Sequence, residues 1–173
     1  MPTASSVTPT EAAAQPGVIL PHKTLKILII DDVQSIRDAL RAYLCPSASA
    51  LDMLNHLLQE GSAPRQDFWI NEAEQGEEGV QMAYAALNSG KSYDVIFVDM
   101  LMPPGIGGVE VIRRIREFDK KVPIVVCTAI ANEAPQMLAD VNGGQLPTML
   151  SKPITQTQNL PELVQTLVAQ QGA

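Results

Sequence analysis

The feature that most constrains this chain is a rhythm. Short runs of apolar, often β-branched residues, each closing on a polar residue, alternate with apolar stripes at helical spacing. Leu25–Ile30 is the first run and stops at Asp31 and Asp32; Ile36, Leu40, Tyr43 and Leu44 then share one helix face until Pro46 halts the pattern. Phe68–Ala73 reads as a second strand, and Val80, Ala83, Tyr84 and Leu87 as a helix ending at Asn88–Gly90. Tyr93–Val98 is a third strand, closing on Asp99. Val111, Ile112, Ile115 and Phe118 predict a helix whose Arg113, Arg114, Arg116 and Glu117 face away from the core. Val122–Cys127 follows as strand four. A weaker helix runs from about Asn132 to Val141, with Pro135 acceptable only in its first turn. Pro147–Leu150 makes a short fifth strand, and Leu160, Leu163, Val164, Leu167 and Val168 the last helical stripe. Strands alternating with helices in this way predict an α/β fold, a doubly wound five-stranded parallel sheet covered on both faces.

Composition removes several function classes. The 173 residues carry 12 Lys plus Arg against 19 Asp plus Glu, a formal charge of −7. Such a balance argues against nucleic-acid binding, which needs clustered cations. With 46% apolar residues the chain can bury a proper core. No apolar run approaches the roughly 18 residues of a membrane span. Cys45 and Cys127 lie far apart, with no CxxC spacing and only two His in the chain. That excludes a cysteine-rich zinc site and predicts two buried or half-buried thiols in a reducing compartment. Residues 1–22, rich in Pro, Ala, Ser and Thr, lack a basic n-region and an apolar h-region. They are read as a disordered leader on a cytoplasmic protein, with one domain over residues 23–173. Within that domain the stretch 46–67 is too long for an ordinary connection and predicts an insertion, an extra helix on the edge or an extended first helix.

Chemistry concentrates at the strand ends. In doubly wound sheets ligands bind beyond the carboxyl ends of the strands. Asp31 and Asp32 follow strand one, Asp99 ends strand three, Thr128 strand four and Lys152 strand five. Each has an ordinary explanation alone: the aspartates and Thr128 as helix caps or turn residues, the lysine as a surface group. Together they form a constellation, because three converging carboxylates repel one another unless a cation joins them. Oxygen ligands without His or Cys point to a hard cation, Mg²⁺.

These residues resemble the receiver domain of bacterial response regulators. The likeness is carried by Ile27–Asp32, Val95–Pro103, Val125–Ala129 and Ser151–Pro153, and extends over about Lys26 to Gln170. The loop Met102–Gly108 and the long segment after Pro46 further resemble a subgroup found in some hybrid sensor kinases. The resemblance implies a flavodoxin-like fold with strand order 2-1-3-4-5. It implies that Asp99 is the phosphoacceptor, attacking a phosphohistidine of a partner kinase. It also implies that Asp32, Asp99 and the backbone carbonyl of Leu101 ligate Mg²⁺ directly, with Asp31 acting largely through water. Thr128 and Lys152 would each bond a phosphoryl oxygen, and Pro153 would hold the preceding peptide cis. Two departures stand out. Met149 occupies the place where receivers commonly carry a switching Tyr or Phe, and Gly107 stands where the subgroup more often has Asp. Leu101 and Ile130, bulky and apolar, are expected to shade the acyl phosphate from water.

The expected protein is therefore a stand-alone receiver, not an enzyme, in a two-component relay. It would take its phosphoryl group from a sensor histidine kinase or phosphotransfer protein. It would then signal to a downstream protein target through the face of the fourth helix, fifth strand and fifth helix, and a homodimer is a further expected partner state. Two alternatives stay open: a receiver-fold interaction module not regulated by phosphorylation, and a receiver domain excised from a hybrid kinase. A Mg²⁺-dependent phosphatase of the haloacid dehalogenase type would need a second Asp two residues beyond the nucleophile, where this chain has Leu101.

Overall fold

The computed structural model describes residues 24–45, 67–129 and 135–171. The leader, the stretch 46–66 and Ile130 therefore lie outside the described residues. Five strands and five α-helices alternate among those described: β1 (Leu25–Ile30), α1 (Gln34–Leu44), β2 (Phe68–Ala73), α2 (Gly76–Asn88), β3 (Val95–Asp99), α3 (Gly108–Phe118), β4 (Ile124–Thr128), α4 (Pro135–Val141), β5 (Thr148–Ser151) and α5 (Leu160–Gln171). The strands pair in parallel in the order β2-β1-β3-β4-β5. The expected order holds. Strand limits differ from the sequence reading by one or two residues, since β3 and β4 start later and take in Asp99 and Thr128.

Two apolar layers explain why the runs are continuously hydrophobic. Along β1, Leu28 and Ile30 face one side with Ile96, Val98, Ile124 and Val126, packed on Val111, Ile112 and Ile115 of α3, Ala83 of α2 and Leu138 of α4. Leu25, Ile27 and Ile29 face the other side with Val95, Phe97 and Val125, packed on Leu40 and Leu44 of α1 and Leu160 and Val164 of α5. A strand with both faces covered has no polar alternate positions. At about 25 cal/mol per Å² of apolar surface, this two-sided burial is the main favourable term of the fold.

Three expectations are corrected here. Arg116 does not face away from the core: its guanidinium is half-buried and donates to Asn142 Oδ1 (2.8 Å) and to the carbonyls of Asp119 (3.0 Å) and Val122 (2.8 Å). The end of α3 and the turn after it leave those carbonyls without helical partners, and the long side chain folds back to meet them. Tyr84 sits on the exposed side of α2, with its ring edge-on to Phe118 at 5.3 Å. Cys45 is exposed just past α1, while Cys127 is buried in β4. Burial pushes the Cys127 thiol up to about 12.

Candidate functional site

The carboxyl ends of β1, β3, β4 and β5 meet at one rim of the sheet. Main-chain hydrogen bonds carry the ladder past the last strand residues: Asp31 N–H to Ala73 O (3.1 Å), Met100 N–H to Cys127 O (3.2 Å) and Lys152 N–H to Thr128 O (2.8 Å). The loops that bear the polar residues are thus anchored at their roots. Gly108 lets α3 start directly against β3. A Cβ there would stand 2.5 Å from the carbonyl oxygen of Asp99 and 3.1 Å from Cα of Met100. Both obstacles are backbone, so only glycine fits without displacement.

Three carboxylates converge there. Asp31, Asp32 and Asp99 each place an oxygen within 4.8 Å of the others. Asp31 is 1% exposed and Asp99 7%, while Asp32 lies partly open to solvent. Lys152 joins them: its ammonium donates to Asp31 Oδ2 at 2.8 Å and lies 2.9 Å from Asp99 Oδ1. The Met100 amide also donates to Asp99 Oδ1 (2.8 Å), and the Val33 amide to Asp31 Oδ1 (2.9 Å). Asp31 therefore closes a turn ahead of α1, but the N-cap position belongs to Val33. Thr128, 6% exposed, ends β4 on the same rim. The peptide between Lys152 and Pro153 is cis, as is that between Pro103 and Pro104.

The electrostatics follow from this packing. Burial raises the Asp99 carboxyl above its ordinary value; the hydrogen bond from Lys152 opposes this, and the charge of Asp31 adds to the rise. Burial alone would lower the Lys152 ammonium. Its hydrogen bonds to Asp31 and Asp99 outweigh that, and its pKa is raised. The donor set is all oxygen, acidic, buried except at Asp32 and clustered within a single ion's reach, which fits a hard divalent cation.

Arg37 is a part of the site that sequence reasoning missed. Only 2% exposed, it donates from Nη1 to the carbonyl of Asp31 (2.7 Å) and from Nη2 to Glu74 (2.9 Å) and to Gln34. Glu72 lies 3.5 Å from its Nε. The guanidinium thus ties α1 to the ends of β1 and β2 just behind the acidic pair. A signal existed: two glutamates at the end of β2 face a strand neighbour that leads into α1. Leu101, expected to shade the acceptor, is 68% exposed. Met149 is partly buried and packs against the core layer that holds α2, α3 and α4.

Comparisons with known proteins agree with this geometry. The family model for the response regulator receiver domain matches residues 47–165, which takes in Asp99, Thr128 and Lys152 but begins after Asp31 and Asp32. The chain is 37% identical over 109 residues to the transcriptional regulatory protein ResD of Bacillus subtilis, a match covering 63% of this chain and 35% of that protein. It thus spans about a third of the length of that curated relative. Among solved structures, the chemotaxis protein CheY4 of Vibrio cholerae superposes with a TM-score of 0.57 at 25% identity, over 84% of this chain and 99% of that one. A two-component response regulator from Clostridium difficile shares the fold, with a TM-score of 0.60 at 20% identity over 87% and 100% of the two chains. Sheet order, acidic rim and family match converge, and the chain belongs to the response regulator receiver domain family.

Proposed function

We propose that this receiver accepts a phosphoryl group on Asp99 from a histidine kinase or phosphotransfer protein, and that it passes the signal on by protein contact. The observation that carries this reading is the placement of the Asp99 carboxylate beside Asp31, Asp32 and the Lys152 ammonium, buried at the end of the central strand. In the proposed step a carboxylate oxygen of Asp99 attacks the phosphorus of a phosphohistidine. The new P–O bond forms as the P–N bond breaks, and the imidazole nitrogen leaves with the electron pair. Mg²⁺ held by Asp32, Asp99 and the Leu101 carbonyl, with Asp31 beside them, would offset the repulsion between carboxylates and the incoming phosphoryl group.

The chain's own groups supply the rest. Lys152 is a compact charge on a long stem, already poised at the acceptor, and it pairs with one phosphoryl oxygen. The Thr128 hydroxyl donates to another. Negative charge spread over the equatorial oxygens is thereby met by fixed donors, which is most of what phosphoryl transfer requires. The readout runs from Thr128 toward the α4–β5–α5 face, because Met149 offers no aromatic ring to swing.

The test is incubation with Mg²⁺ and acetyl phosphate, followed by intact mass. A gain of one phosphoryl group that disappears with a chelator and in Asp99→Asn supports the proposal. An unchanged mass under conditions that label another receiver overturns it in favour of a module that works without phosphorylation.

A further inference from the structure

At the opposite rim of the sheet lies a groove of about 730 Å³, running between the edge strand β2 and α2. Its lining is mostly apolar, with Trp69 from β2, Met82 and Ala86 from α2, and Tyr93 just before β3. Trp69 is 63% exposed, an unusual state for the only tryptophan of a chain with few aromatic residues. The Tyr93 hydroxyl donates to Asn71 Oδ1 (3.3 Å), so that ring is held in place. Two cations complete the groove. Lys26 is the strand partner of Trp69 across β1 and β2, and Lys91 stands beyond the end of α2. Neither ammonium has an ion-pair partner among the described residues. The nearby carboxylate of Asp94 accepts the main-chain N–H of Lys26 (2.8 Å).

A protein of charge −7 that sets around an exposed apolar surface two lysines with no ion-pair partner among the described residues presents the local complement of an acidic, amphipathic partner. An anchoring Trp flanked by smaller apolar contacts is also the usual make-up of a binding hot spot. We infer that this groove docks an acidic amphipathic segment of a partner protein. Lys26 and Asp31 bracket β1, roughly 16 Å apart at the ordinary rise of a strand. Docking at the amino rim is therefore constitutive, holding a partner on the domain whatever the state of the acceptor at the carboxyl rim.

Trp69 supplies the readout. The whole chain is titrated with two synthetic amphipathic peptides of equal length and identical leucine pattern, one with Glu at its polar positions and the other with Lys. The Glu peptide is expected to shift Trp69 emission to the blue and to move the amide resonances of Ala85 and Ala86; the Lys peptide is not. In the double variant Lys26→Glu, Lys91→Glu, affinity for the Glu peptide falls at least tenfold and the Lys peptide binds instead, which a merely unfolded variant would not show. Affinity for the Glu peptide stays the same with and without acetyl phosphate and Mg²⁺. Equal responses to both peptides, or none up to millimolar concentration, overturn the inference. So does emission in the free protein already typical of a buried indole, which means that another part of the chain fills the groove. A blue shift that tracks protein concentration together with a dimeric mass assigns the face to a second copy and likewise overturns it. A change of affinity on phosphorylation removes the constitutive role. The titration needs no phosphoryl chemistry, so its failure and that of the acceptor reading are separate results.

Discussion

Asp99 shows at the scale of one residue how a functional group can work against the fold that holds it. Its pKa is raised in the folded state, by burial first and by Asp31 second, so folding disfavours its ionised form. A group with a raised folded value contributes its stability fully below its unfolded pKa and loses it as pH climbs through the folded value. Without divalent cations, Asp99→Asn is therefore expected to melt a few degrees above the wild type at about pH 7, with the gap closing at about pH 3. Thermal melts in chelator at the two pH values check this; a lower melting point at neutral pH would mean that the Lys152 pairing outweighs burial. Gly108 makes the opposite case, a residue retained for lack of a side chain. Alanine would improve helix propensity by up to about 1 kcal/mol. Its Cβ would nonetheless meet the Asp99 carbonyl at 2.5 Å. Gly108→Ala should cost about 1–3 kcal/mol in denaturant unfolding and slow labelling of Asp99 by acetyl phosphate.

Between elements, the tie that matters is Arg37. It fastens α1 to the ends of β1 and β2 through the Asp31 carbonyl and two glutamates. Removing a buried charge that meets buried acids costs several kcal/mol. Here Glu74 is open to solvent and Glu72 keeps Arg41 as a partner, so the loss is smaller. Arg37→Met should destabilise by about 1–3 kcal/mol and weaken Mg²⁺ binding without abolishing it, read by denaturant melts and by calorimetric titration with Mg²⁺. This scale is also where the sequence was least transparent. Buried strands such as β3 announce themselves because residues 95–98 are all apolar, and the five rim residues because they come at or just past the ends of such runs. Arg37, Arg116 and Tyr84 occupy helical positions whose exposure depends on which neighbour stands opposite. Periodicity along one helix carries no information about a glutamate or a bare carbonyl on another element. Arg116 was read as outward for that reason, and Arg37 was missed.

Across the whole molecule the two thiols report on integrity. Cys45 is exposed and Cys127 lies inside β4 with its thiol pushed up to about 12 by burial, so Cys127 offers little reactive thiolate and little access to reagent. A disulfide reagent should modify one thiol within minutes and the second only on unfolding; rapid reaction of both would show that β4 opens readily. The same view of the whole explains why the fold could be read from one sequence. A parallel sheet clothed on both sides leaves few arrangements for strands this short and this apolar; the meeting of the acidic ends requires only that β1 and β3 be neighbours, and the full order β2-β1-β3-β4-β5 was legible through the resemblance to receiver domains.

One contact has wider reach than its size suggests. The single ammonium bridging Asp31 and Asp99 fastens the outermost strand to the middle of the sheet by the charges of those two acids. Whatever changes the charge at either acid, a bound ion or an acyl phosphate, is therefore expected to act on that latch. The far edge of the domain is thereby tethered to its centre through one side chain.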